Sequence, residues 1–123
     1  PYASTIDNLC LAANVLRNKL EGDMAGISPQ EVERKRKRGE DFILLDVRTP
    51  REYQNVRIPG SVLIPLSELP AQVDELPADK EIVTVCAGGL RGYEAYLILK
   101  SQGFRKVMVM DGGMAAWPYE VER

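Results

Sequence analysis

Three segments of this chain, Phe42-Ile43-Leu44-Leu45-Asp46-Val47, Glu81-Ile82-Val83-Thr84-Val85-Cys86 and Lys106-Val107-Met108-Val109-Met110, are apolar at nearly every position rather than at alternate ones. A strand with one wet face alternates, whereas a run apolar on both faces has to be covered on both, as in a parallel sheet enclosed by helices. Between the second and third runs lies a helical pattern from about Tyr93 to Gln102, closed by Gly103. Strand, helix, strand reads as a right-handed crossover, so the expected class is α/β with a mainly parallel central sheet flanked by helices. Ser61-Val62-Leu63-Ile64 offers a further short strand before Pro65.

Ahead of the first run, Ser28-Pro29-Gln30-Glu31 combines a capping residue, a proline at the first helical position and a glutamate at the third, which predicts a short helix ending around Gly39. Farther back, Ile6, Leu9, Ala12, Ala13, Leu16 and Leu20 recur at helical spacing, with Ser4 or Thr5 as cap and Gly22 past the end. Gly22-Asp23-Met24-Ala25-Gly26 has linker composition. The expected organisation is an extra N-terminal helix and linker over 1–26, then an α/β domain over 27–123. With 45% hydrophobic residues in 123, one core forms without disulfides or metal.

Sixteen basic residues oppose 18 acidic ones for a net charge of −2, which favours neither nucleic acid nor an anionic membrane. The basic run Arg34 to Arg38, flanked by Glu31, Glu33, Glu40 and Asp41, reads as a solvated helix end. There is no histidine, and the two cysteines, Cys10 and Cys86, are far apart. That removes zinc sites and every mechanism built on a Cys-His or Ser-His pair. No apolar stretch approaches the roughly 20 residues that span a bilayer, and a reducing, cytoplasmic setting is expected, although the two cysteines also allow a pair. Cys10, among apolar neighbours on its helix, reads as packing.

Cys86 is different because it heads a glycine-rich loop, Cys86-Ala87-Gly88-Gly89-Leu90-Arg91-Gly92, at the carboxyl end of a strand. In open parallel sheets ligands bind at those ends, where helix N-termini aim their free N–H groups. Converging amides, the helix dipole and the Arg91 charge all favour a thiolate, and sulfur needs less help from a base than a serine oxygen does. The alternative is a small buried residue that merely ends a core strand. The loop carries neither the Gly-Lys-Ser/Thr ending of a nucleotide phosphate loop nor the Gly-x-Gly-x-x-Gly of a dinucleotide site.

Four ordered motifs, Leu45-Asp46-Val47-Arg48 with Glu52-Tyr53, Ile58-Pro59-Gly60-Ser61, Cys86 through Gly92, and Met110-Asp111-Gly112-Gly113 with Trp117, together resemble the rhodanese domain from about Ile27 to Glu120. The resemblance implies sulfur transfer. Cys86 would take sulfane sulfur from thiosulfate or a persulfide, hold it as Cys-S-SH and pass it to a nucleophilic acceptor. The amides of Ala87, Gly88, Gly89, Leu90, Arg91 and Gly92 would cradle the terminal sulfur. Asp46 and Arg48 would support the site, and Arg51 would meet an anionic substrate. An Arg48-Glu52 pair at helical spacing would fix the neighbouring loop, with Tyr53 and Trp117 in the core. Related phosphatases place five residues between cysteine and arginine. Here only Ala87, Gly88, Gly89 and Leu90 intervene, a loop sized for sulfur.

The chain departs from the family pattern at Val56-Arg57-Ile58-Pro59-Gly60-Ser61, where the family usually has Gly-His-Ile-Pro-Gly-Ala, and at Gly92, where a serine commonly follows the arginine. Pro1 through Asp23 resembles the end of the dimerisation domain of flavin-dependent disulfide reductases of the coenzyme A disulfide reductase type. That resemblance implies a C-terminal piece of a fusion, with FAD, NAD(P)H and coenzyme A used by the full-length protein, none in this chain, and a thiol or persulfide as partner. A catalytically silent rhodanese-like binding or regulatory module is the rival expectation.

Overall fold

The computed structural model of the protein describes residues 26–123. The helix expected over Thr5–Leu20, and Cys10 with it, lies outside the described residues. In chain order the elements are β1 (Gly26–Ile27), α1 (Pro29–Lys37), β2 (Phe42–Asp46), α2 (Pro50–Asn55), β3 (Val62–Leu63), α3 (Leu69–Gln72), β4 (Glu81–Val85), α4 (Leu90–Ser101) and β5 (Val107–Met110). Short 3-10 turns follow α3 at Val73–Glu75 and β5 at Gly113–Ala116. The strands form one sheet in the order β1-β5-β4-β2-β3, and every neighbouring pair is parallel.

The core shows why the long runs are apolar at consecutive positions. Leu45, Ile82, Ala95, Leu99 and Val107 pack on the α4 side, while Val32, Leu44, Val83, Val85, Met110 and Trp117 pack on the α1 side. Successive residues of one strand therefore enter opposite cores. Thr84 is fully buried on the α4 side, and its hydroxyl donates to the Gly92 carbonyl at 2.8 Å. That bond satisfies a polar group in the core and ties β4 to the first turn of α4.

Local signals account for the flanking helices. Ser28 caps α1 by accepting from the Glu31 amide, with Pro29 at the first helical position. α2, which the sequence pattern did not single out, opens on a full capping box: the Thr49 hydroxyl accepts from the Glu52 amide, and the Glu52 carboxylate accepts from the Thr49 amide. β1 was also unexpected. It is two residues long and pairs with β5 through Gly26 and Ile27, at the point where the linker was expected to end.

One expectation about α1 is corrected. Lys35, in the basic run read as a solvated face, is 8% exposed. Its ammonium lies 2.8 Å from Glu40 and 2.5 Å from Glu81 at the start of β4, and above the Phe42 ring. Burial works against this charge, but the Glu40 hydrogen bond and the Glu81 carboxylate outweigh it and hold the ammonium above the ordinary lysine range. The three arginines of the run pair more locally: Arg34 with Glu31, Arg36 with Glu33, and Arg38 with Glu40.

Candidate active site

β4 ends at Val85, so Cys86 is the first residue past the strand, on the same face as Thr84 and two residues from it. The chain then turns through Gly89 at φ 114°, a left-handed conformation that glycine adopts without strain, and enters α4 at Leu90. The turn folds the loop back on the sulfur: the Gly89 amide donates to Cys86 Sγ at 2.8 Å. Gly89 has no side chain to cap α4, so the amides of Leu90, Arg91 and Gly92 keep the open donors of a helix N-terminus. Cys86 is 1% exposed and lines a cavity of about 330 Å³ with Gly88, Leu90, Arg91 and Glu94. A thiol that merely ended a core strand would need neither that opening nor the amide.

The loop is also held from behind. After β5, Gly112 and Gly113 both take positive φ, which drives the following turn against Cys86. The Met114 amide donates to the Cys86 carbonyl at 2.7 Å, and the Ala115 amide to the Ala87 carbonyl at 3.0 Å. Gly92 lies beneath the sulfur, where a Cβ would stand 3.8 Å from Sγ and 3.3 Å from both Thr84 Oγ1 and Val109 Cγ1.

Arg91 does not stand free at the cavity. Its two terminal nitrogens reach the two oxygens of Glu52 at 2.8 and 3.0 Å in a bidentate pair. The Arg91 hydrogen bonds, opposed by partial burial and helped by the Thr49 amide, bring the Glu52 carboxyl down to about 2. Reciprocally, the Glu52 hydrogen bonds raise the guanidinium above its ordinary range, against partial burial, with further contributions from the charges of Cys86 and Asp46.

That geometry corrects the expected Arg48-Glu52 pair. Arg48 precedes α2 instead of lying within it, so the spacing of four does not bring the two side chains onto one helical face. Arg48 turns back to Asp46 at the end of β2, with Nε 2.9 Å from Oδ1 and Nη2 2.8 Å from Oδ2, and also donates to the Val56 carbonyl at 2.6 Å. Both residues are buried, at 3% and 1% exposure, and Asp46 is in register with Val85, next to Cys86. Arg48 and Arg91 together line a second cavity of about 250 Å³ with Val47, Thr49, Pro65, Leu66 and Ser67.

Arg51 is exposed on α2 and has no hydrogen bond or ion pair with the described residues. It is not among the described residues lining either cavity. Tyr53 is half-buried, its hydroxyl donating to the Ser61 carbonyl at 2.6 Å, and Trp117 is in the core with its indole N–H on the Glu120 carbonyl. Sequence reasoning did not assign Glu94 or Gly113 to the site. The paired glycines after β5 were a usable signal for Gly113, while nothing local marked Glu94.

A parallel sheet with a buried cysteine at the carboxyl end of its central strand, enclosed by a glycine loop and a helix N-terminus, defines a thiol-centred α/β domain. The particular family follows from comparison: the model of the rhodanese-like domain matches residues 28–120, and the chain belongs to that family. A sulfurtransferase of Allochromatium vinosum is 37% identical over 78 residues, which cover 63% of this chain and 73% of that protein. Among solved structures, the reduced Bacillus anthracis CoADR-RHD superimposes with a TM-score of 0.76 at 36% identity, and an NAD-dependent persulfide reductase from A. fulgidus with 0.69 at 46%. Each alignment covers 85% of this chain but only 18% of the other. Among the described residues no helix is long and apolar enough to cross a membrane.

Proposed function

We propose that this chain is a sulfurtransferase domain that carries sulfane sulfur as a persulfide on Cys86, in a reducing cytoplasmic setting, and hands it to a fused or associated disulfide or persulfide reductase. The observation that carries this reading is the Cys86 sulfur itself, which accepts the Gly89 amide and opens onto a cavity beside the free amides of α4. In the loading step the Cys86 thiolate attacks the outer sulfur of the donor. With a persulfide, RS–SH, the S–S bond breaks, its electron pair leaves as the thiolate RS⁻, and Cys86-S–SH forms. With thiosulfate the same attack leaves sulfite and the deprotonated Cys86 persulfide. In either case the donors around the loop face the terminal sulfur and stabilise its negative charge. An acceptor nucleophile then attacks that outer sulfur and restores the Cys86 thiolate.

The reductase partner is supported by the two structural neighbours, whose names are those of a CoADR-RHD and a persulfide reductase and whose chains are far longer than this one. FAD, NAD(P)H and coenzyme A would be held by that larger body. The described residues contain no strand-to-helix Gly-x-Gly-x-x-Gly turn, so they do not fit a dinucleotide, and no step above passes through one.

Sulfur transfer from thiosulfate to cyanide, and from a small-molecule persulfide to a thiol, should be measured for the chain and for Cys86→Ala. Activity is expected in the first and absent in the second, and equal activity in both would remove the nucleophile. Mass spectrometry after donor treatment should find about 32 Da added at Cys86, the mass of one sulfur atom.

A further inference from the structure

The cavity over Cys86 is poor in net positive charge, although it contains an arginine. Among the described residues that line it, Arg91 is the only cation and Glu94 the only carboxylate. Arg91 is not available as a free positive charge, because both of its terminal nitrogens are committed to the two oxygens of Glu52. The Arg91-Glu52 unit is thus close to neutral, and it stays so because the Glu52 carboxyl, at about 2, is ionised at any pH where the enzyme would work. With Glu94 and a Cys86 thiolate added, the formal charge facing an incoming donor is negative. The opposing positive potential comes from the partial charges of the loop and helix amides, which act at the terminal sulfur rather than across the cavity.

We propose that Glu52 is a specificity-determining residue: by neutralising Arg91, and with Glu94 on the rim, it makes the site favour sulfur donors of low charge, such as organic persulfides, over dianions such as thiosulfate. This rests on the sulfur-transfer reading above and deepens it by naming the class of donor. The effect is one of encounter and binding, since the uncompensated carboxylate charge repels a dianion about twice as strongly as a persulfide with an uncharged stem, which carries at most one charge.

The test compares Glu52→Gln and Glu94→Gln with the unaltered chain. Gln at 52 keeps a carbonyl oxygen to accept from the Thr49 amide while removing the negative charge that neutralises Arg91. Glu94 makes no ion pair among the described residues, so its replacement reads the rim charge without disturbing the loop. Expected results are a KM for thiosulfate lowered about fivefold in Glu52→Gln and about threefold in Glu94→Gln, and a KM for an alkyl persulfide with an uncharged stem unchanged within about twofold; charge effects of this size are typical of partly solvated pairs. Low salt should enlarge the thiosulfate effect. A second readout is independent of sulfur transfer: the rate of Cys86 alkylation by anionic iodoacetate, relative to neutral iodoacetamide, should rise in both variants. Equal loss of kcat with both donors in Glu52→Gln, with no change in the alkylation ratio, would make Glu52 a purely structural tie and overturn the proposal. Failure of the unaltered chain to load sulfur from any donor would instead overturn the sulfur-transfer reading, and the alkylation ratio would still decide the charge effect.

Discussion

Gly113 lies so close beneath Cys86 that a Cβ built on it would collide with the Cys86 carbonyl oxygen and stand 2.8 Å from the Ala87 carbonyl carbon. Its φ of +59° is a second reason for glycine there. The turn after β5 thereby serves as the back wall of the sulfur loop, and the Met114 and Ala115 amides fasten it.

Gly113→Ala should therefore act on both stability and the site. Backbone clash added to left-handed strain is expected to cost about 2–4 kcal/mol. Urea denaturation measures the loss, and persulfide loading per folded molecule should fall as well, since the loop must move to admit the methyl group.

The buried Asp46-Arg48 pair predicts a different pattern. Removing one partner leaves a buried charge unpaired, so Asp46→Ala should destabilise by about 3–5 kcal/mol. The double variant Asp46→Ala/Arg48→Ala should lose less than the two single variants added together, as a double-mutant cycle by denaturation would report.

For Glu52 the expected signature is a pH dependence. A carboxyl held at about 2 when folded, against 4.5 ordinarily, contributes stability that is fully present above about pH 4.5 and lost as pH falls through 2. The shift alone corresponds to about 3 kcal/mol, but the side chain is about a third exposed, and screening reduces this to about 1 kcal/mol. Denaturation of the chain and of Glu52→Gln should differ at pH 5 and converge near pH 2.

Lys35 has the opposite sign. Its raised pKa means that its contribution is fully present below about 10.5 and is lost as pH rises through the folded value. Lys35→Ala is expected to cost about 2 kcal/mol at neutral pH, because Glu81 loses the cation that compensates its burial at the start of β4. The difference from the unaltered chain should shrink as pH rises past the ordinary lysine value of 10.5 and through the raised folded one.

The parallel α/β fold and the Cys86 loop were legible because their signals are local. Two-sided apolar runs mark buried strands, and a cysteine before glycines at a strand end marks a cradle. The Ser28 cap and the strands near Phe42, Glu81 and Val107 likewise depend on near neighbours. What escaped was set by partners distant in the chain. Arg48 and Glu52 have the spacing of a helical pair, but a helix beginning at Pro50 leaves Arg48 outside it, and the true partner of Glu52 is 39 residues away at Arg91. Lys35 resembled its exposed neighbours until the sheet brought Glu81 beneath it. Gly92, a departure from the family's usual serine, occupies a space that Thr84 and Val109 already crowd.

The group that touches Cys86 Sγ is a main-chain N–H, that of Gly89, whereas the cavity beside it is walled by side chains, so in the proposed sulfur transfer the chemistry and its selectivity are separable. Under that proposal, substitution at Leu90, Glu94 or Glu52 would retune which molecule delivers the sulfur without touching the peptide groups around it. A domain that worked this way would be a transferable catalytic cartridge: new donors would be adopted through a few rim side chains while the reacting centre stayed unaltered.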